Sequence, residues 1–236
     1  MTDDPFAIRM PPEVRSVRVG GHQVVLIDDF LADPRPLADA ARTASYAPYP
    51  GVAERKGYPG VRAPVPADYS AALTALVEPL VRQNFGVPDT LALHKSECAF
   101  SLTTVAPGEL GALQRTPHFD ASSPHHMAVL LYLCDDAHGG TGFYRHKATG
   151  LQQITAGQVD AFERQRVAEL DAQAPAQRYF DDSDDCFEFL GMMPARFNRL
   201  VVYRGSLLHS AIVNPQRLSA DPRTGRLTVN SFYDFW

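Results

Sequence analysis

From Leu91 onward the chain is a run of short strand-forming segments broken at close intervals by turn residues. That rhythm restricts it to a layered β architecture. Leu91–Thr104, Ala128–Leu133, Gly142–Arg145, Leu151–Thr155, Arg199–Tyr203 and Arg226–Phe235 all read as strands. Ala106-Pro107-Gly108, Gly139-Gly140, Gly157, Arg204-Gly205 and Asp221–Gly225 supply turns between them. Many short strands punctuated in this way predict a sandwich or barrel. One stretch breaks the pattern. Asp160–Gln173 places Phe162, Val167 and Leu170 among charges, which reads as a helix, and the acidic run Asp181-Asp182-Ser183-Asp184-Asp185 follows it. Residues 158–197 are therefore expected to form an insertion between two barrel strands.

The first 90 residues have a different texture. Ser16–Ile27 reads as two strands around a Gly20-Gly21 turn. Asp33–Tyr46 reads as a helix with Asp33 as N-cap and Pro34 at the first helical position. Residues 47–68 are rich in Pro and Gly and read as an irregular loop. In Ser70–Phe85, Leu73, Leu76, Val77 and Leu80 mark one apolar helix face; Pro79 should bend that helix and Gly86 should stop it. The expected fold is mainly β with flanking helices. It forms a single domain over residues 1–236, with supporting strands and helices to residue 90 and a β core from 91.

Composition removes several functional classes. A chain of 236 residues with net charge -5 and no basic stripe is not a nucleic-acid binder. No stretch approaches the roughly 20 apolar residues of a membrane-spanning helix. Cys98, Cys134 and Cys186 are odd in number, widely spaced and without a CxxC, so neither a disulfide scaffold nor a zinc cluster is expected. Reduced thiols and an acidic N-terminus, MTDDPFAIRM, point to a cytoplasmic protein.

The chemistry begins at Pro117-His118-Phe119-Asp120. Residues two apart on a strand share a face, so an imidazole and a carboxylate can meet one divalent ion there. His209, after the strand-like RLVVYRG, is the best third ligand. Two histidines and one carboxylate on one face of an octahedral ion leave three positions open, an arrangement suited to non-haem Fe(II). A hydrogen-bonded surface His–Asp pair is the competing reading of HxD taken alone.

The order of motifs from Cys98 to Phe235 resembles the Fe(II)/2-oxoglutarate-dependent dioxygenases, in particular their prolyl-hydroxylase-like branch. Pro107-Gly108 precedes the HxD. Leu131-Tyr132-Leu133 is similar to the family's "YLN" strand, Gly139-Gly140-Thr141-Gly142-Phe143 to its "GGxTxF" turn and strand, and Gly225-Arg226-Leu227-Thr228 to its closing G-R-x-S/T. The resemblance implies a double-stranded β-helix (a jelly-roll or cupin-like barrel) and a reaction that uses Fe(II), 2-oxoglutarate and O2. It places His118, Asp120 and His209 on the metal. Arg226 would anchor the C5 carboxylate of 2-oxoglutarate, for which a planar guanidinium is well matched; Thr228 and Tyr132 would assist, and Arg217 and Arg223 are the fallback anchors.

The pattern also has departures. The Asp120–His209 and His209–Arg226 gaps are long, and Ala106 stands where some relatives carry a tyrosine, leaving the oxoacid pocket one hydrogen bond short. Asp120 itself argues against the halogenating branch. A cupin-type metalloenzyme that does not use 2-oxoglutarate and a non-catalytic binding module remain alternatives. The substrate is expected to be a small molecule or an amino-acid or peptide side chain. His125 and His126 read as a solvated loop pair, and Arg145 or His146 as a candidate for binding an anionic substrate.

Overall fold

The computed structural model describes residues 4–50 and 55–236. Two antiparallel sheets and three α-helices make up its regular structure. The chain opens with the hairpin β1 (Val14–Val19) and β2 (His22–Ile27), turned at Gly20-Gly21 as the sequence predicts. Helix α1 (Arg35–Thr43) follows. Its N-cap is Pro34 rather than Asp33, whose carboxylate instead accepts the Arg35 amide from one residue further back, at 3.0 Å. The stretch read as an irregular loop contains β3 (Ala47–Pro48) and β4 (Gly60–Pro64), and α2 (Ala67–Phe85) begins before Ser70. Pro79 lies within α2, and Gly86 ends it at φ +64°, where only glycine is unstrained.

The remaining elements are β5 (Leu93–Thr103), β6 (Met127–Tyr132), β7 (Gly139–His146), α3 (Val159–Ala172), β8 (Phe187–Pro194), β9 (Arg199–Arg204), β10 (His209–Val213) and β11 (Arg226–Phe235). Leu151–Thr155 is not a strand; Gln153 makes one isolated bridge to Leu207. Within residues 158–197, α3 is the helix expected there, and β8 is a sheet strand paired with β7.

The large sheet runs β1-β2-β9-β6-β11-β5-β4-β3, the small one β10-β7-β8. One face of the large sheet is the main core. Leu227, Val229, Tyr233 and Phe235 of β11 and Phe100 and Leu102 of β5 pack there with Leu37 of α1 and Leu73, Val77 and Val81 of α2. Each such fully buried side chain contributes about 1.5–3 kcal/mol relative to exposure. On the other face, Val24, Ala128, Leu130, Val201 and Tyr203 meet Phe143 and Met193 of the small sheet. The alternation of strand side chains therefore directs Arg226, Thr228 and Asn230 away from the helices, on the opposite face from Leu227 and Val229. Among the described residues, no helix is long and apolar enough to cross a membrane.

Asn198 ties the turn before β9 to the segment between β2 and α1. It is buried, holds φ +63°, and pairs with both main-chain groups of Leu31: Oδ1 accepts from N–H at 2.9 Å and Nδ2 donates to C=O at 3.0 Å. Asn198→Ala should cost about 3 kcal/mol, because it strands two buried backbone groups and loses a side chain tolerant of that conformation. Equilibrium urea unfolding will check this; a loss below about 1 kcal/mol would show that the contact is dispensable.

Candidate metal centre

His118 lies outside the named strands, yet strand-like pairing holds it. Its N–H donates to the His209 carbonyl at 2.9 Å and its own carbonyl accepts from His209 N–H at 2.8 Å. This reciprocal bridge joins the segment before β6 to the start of β10. Two residues on, Asp120 N–H donates to the Gly205 carbonyl at 2.7 Å, which fixes the carboxylate against the β9–β10 turn. The three side chains expected to converge do so: one donor atom from each of His118, Asp120 and His209 lies within 4.8 Å of the others. His118 Nε2 is 3.8 Å from Asp120 Oδ1, and His209 Nε2 is 3.5 Å from Asp120 Oδ2. Adjacent donors around an ion with bonds of about 2.1 Å sit roughly 3 Å apart, so a small inward movement closes the set.

The surroundings prepare these donors. His209 Nδ1 lies 2.8 Å from the Leu207 carbonyl and must carry the proton to bond it, which leaves the Nε2 lone pair facing Asp120. Tyr203 packs edge-on against the His209 ring at 5.0 Å. Desolvation by the protein packed around the ring lowers the His118 pKa; His209 and Arg166 lower it further, against Asp120. The neutral imidazole that results is the form that binds metal.

A second polar feature lies along β11. Arg226 is buried, and its Nη2 donates to the Gly140 carbonyl at 2.8 Å. Its Nε is buried without any partner, and no carboxylate pairs with it among the described residues. Tyr132 sits beside the guanidinium, its ring centre 5.9 Å from Cζ, with its hydroxyl 2.6 Å from Thr141 Oγ1. Thr228 is buried on the same strand face and bonds Asn230 Oδ1 at 2.7 Å. Sequence reasoning missed Tyr58, whose hydroxyl lies 3.0 Å from Thr103 Oγ1, and Thr103 is the register partner of Arg226. Burial raises the pKa of Tyr58 and of Tyr132, and the Arg226 charge opposes it at both. The fallback Arg223 is engaged on the surface with Asp221.

Two expectations about other histidines are corrected. His126 is buried, not solvated; its Nδ1 lies 2.7 Å from Asp234 Oδ1 and its ring stacks on Phe232. His146 is fully buried and does not face the metal donors. Its nitrogens are 2.9 Å from Thr149 Oγ1 and 2.9 Å from Glu169 Oε2, with Phe162 and Phe187 packed on its ring. It fastens α3 to β7. Arg145 pairs with Glu188 on the neighbouring strand.

The chain belongs to the family of unknown function DUF6445, which matches it over residues 10–233. No curated protein matches it in sequence. Among solved structures it is similar to SnoN, the non-heme alpha ketoglutarate dependent epimerase of nogalamycin biosynthesis, at 14% identity over 89% of this chain and 76% of that one, with a TM-score of 0.49. HygX from Streptomyces hygroscopicus, solved with nickel, 2-oxoglutarate and hygromycin B, is 11% identical over 89% and 82% of the two chains, with a TM-score of 0.45. An N-substituted L-amino acid dioxygenase from Burkholderia ambifaria is 10% identical over 90% and 85%, with a TM-score of 0.39. Likeness at this level leaves the functional reading to the geometry of the site itself.

Gly205 lets the two sides of the centre approach. A Cβ built there would lie 2.4 Å from His126 Cδ2 and 3.1 Å from both Cβ and Oδ2 of Asp120. Gly205→Ala should therefore displace the Asp120 carboxylate and weaken Mn(II) binding by about tenfold or more, the scale seen when the support of a ligand is lost. Calorimetric titration of the folded variant checks this, and unchanged affinity would refute the close-approach argument.

Proposed function

We propose that this chain is a non-haem Fe(II)- and 2-oxoglutarate-dependent oxygenase built as a single double-stranded β-helix domain. His118, Asp120 and His209 would hold the metal, and Arg226 would hold the C5 carboxylate of 2-oxoglutarate. One observation carries the reading. A mixed N/O donor triad lies in the same protein as a buried guanidinium that has a vacant Nε and no counter-ion among the described residues. A buried charge without a partner is costly, and a ligand carboxylate would relieve that cost. The donor set suits the metal: it combines two imidazoles with one carboxylate, contains no thiolate, and would leave room for an oxoacid and O2.

Bound there, iron would couple oxidative decarboxylation of 2-oxoglutarate to oxidation of a substrate C–H bond. The chain's own groups orient and shield that chemistry. Leu207 fixes the tautomer of His209, and Gly205 fixes the direction of Asp120. Tyr132 and Thr228 frame the oxoacid end, as the family pattern implies. Tyr58 supplies the hydroxyl that Ala106 cannot, reaching the Arg226 neighbourhood from the loop before β4. The substrate would be a small molecule or an amino-acid or peptide side chain. Three free cysteines agree with action in the reducing cytoplasm.

Anaerobic addition of Fe(II) and 2-oxoglutarate should produce a weak visible charge-transfer band that His118→Ala abolishes. No band in the wild type, or a band that survives in His118→Ala, refutes the assignment. Arg226→Met should weaken 2-oxoglutarate binding by about 100-fold, the worth of a charge-assisted bidentate contact. Without 2-oxoglutarate its melting temperature should equal or exceed that of the wild type, because the variant removes an unpaired buried charge. Unchanged 2-oxoglutarate binding would favour a cupin-type enzyme that needs no oxoacid.

A further inference from the structure

A cavity of about 150 Å³ lies between α3, the 173–187 segment and the residues that lead into His118. Its volume suits a ligand on the order of ten non-hydrogen atoms. Arg115 and Thr116 on its wall directly precede Pro117-His118 in the chain, and His118, Asp120 and His209 do not themselves line it. Much of the lining is apolar, from Leu170, Phe180 and Phe187.

Three arginines (Arg115, Arg166 and Arg178) and three carboxylates (Glu169, Asp184 and Asp185) line it, and the arginines differ in their partners. Glu169 is committed to His146 and to Gln165 Nε2, each at 2.9 Å. Asp184 Oδ1 accepts the amides of Cys186 and Phe187 at 2.9 and 2.7 Å. Asp185 is exposed. Arg166 pairs with Glu163, and Arg178 with Asp181. Arg115 differs from both. Its Nε and Nη1 donate to the Gly111 and Pro175 carbonyls, at 3.4 and 2.7 Å, which hold the guanidinium in place without neutralising it. No carboxylate of the described residues pairs with it.

We propose that this cavity binds a small monocarboxylate with an apolar body, and that Arg115 anchors its carboxylate. A tethered guanidinium presents a flat fork to a carboxylate, while the aromatic and aliphatic wall accepts the rest of the molecule. Binding of this ligand does not rest on the oxygenase reading. The test therefore uses the metal-free full chain and two probes of equal shape, phenylacetate and its neutral amide, followed by calorimetry or ligand-detected NMR.

Phenylacetate should bind the wild type at least tenfold more tightly than phenylacetamide. Arg115→Gln should erase that preference, and Arg115→Lys should retain part of it. Leu170→Trp, which fills the cavity, should reduce binding of both probes. Arg226→Met should leave the preference intact, which separates this site from the proposed oxoacid site. Equal binding of acid and amide, or a preference that survives Arg115→Gln or disappears in Arg226→Met, overturns the proposal. If the preference holds while the wild type forms no charge-transfer band, the carboxylate site stands and the oxygenase reading falls. If the band forms without the preference, the carboxylate site falls and the oxygenase reading stands.

Discussion

The two main-chain hydrogen bonds between His118 and His209 are the contact on which the site depends. They join a segment without regular structure to the first residue of β10, and so set two imidazoles side by side with ring centres 4.4 Å apart. The backbone carries the placement, which leaves the side chains available for coordination. Asp120 joins through the same kind of contact, its amide on the Gly205 carbonyl.

The large sheet gives this arrangement its rigidity. Helices α1 and α2 cover one face with a continuous apolar core, and the small sheet packs on part of the other. Polar side chains can then be buried on the second face without weakening the first. Arg226 is the extreme case. It is an arginine enclosed by protein, bonded to one carbonyl, and surrounded by hydroxyls that cannot neutralise it.

Much of this was legible in the sequence because it depends on local pattern. Continuous apolar runs in β6 and β9 and alternation in β11 marked strands that run close to the expected limits. The two-residue spacing of His118 and Asp120 announced a shared direction, and motif order pointed to His209. What escaped was set by tertiary pairing. β4 hides in a Pro- and Gly-rich stretch and is a strand because β5 pairs with it. β8 follows an acidic run that reads as a loop. Tyr58 meets Thr103 only through that same β4–β5 pairing, so no spacing rule connects it to Arg226. His146 shows the limit of alternation. The pattern gave a side chain pointing off a strand, and only the packing of α3 against β7 shows that its face is covered and bonded to Glu169.

Strand β11 joins two demands in one ten-residue segment. Leu227, Val229, Tyr233 and Phe235 belong to the helix-side core, while Arg226, Thr228 and Asn230 face the other way. Evolution can therefore edit these two sets nearly independently, since a change in one seldom disturbs the packing of the other. Within a lineage of such proteins, the odd-numbered positions of this strand should drift only among shapes that fill the helix-side core, while the even-numbered ones answer to the opposite face. A saturation scan across ten codons would then show a comb with period two, with abundance falling most steeply on the odd-numbered teeth.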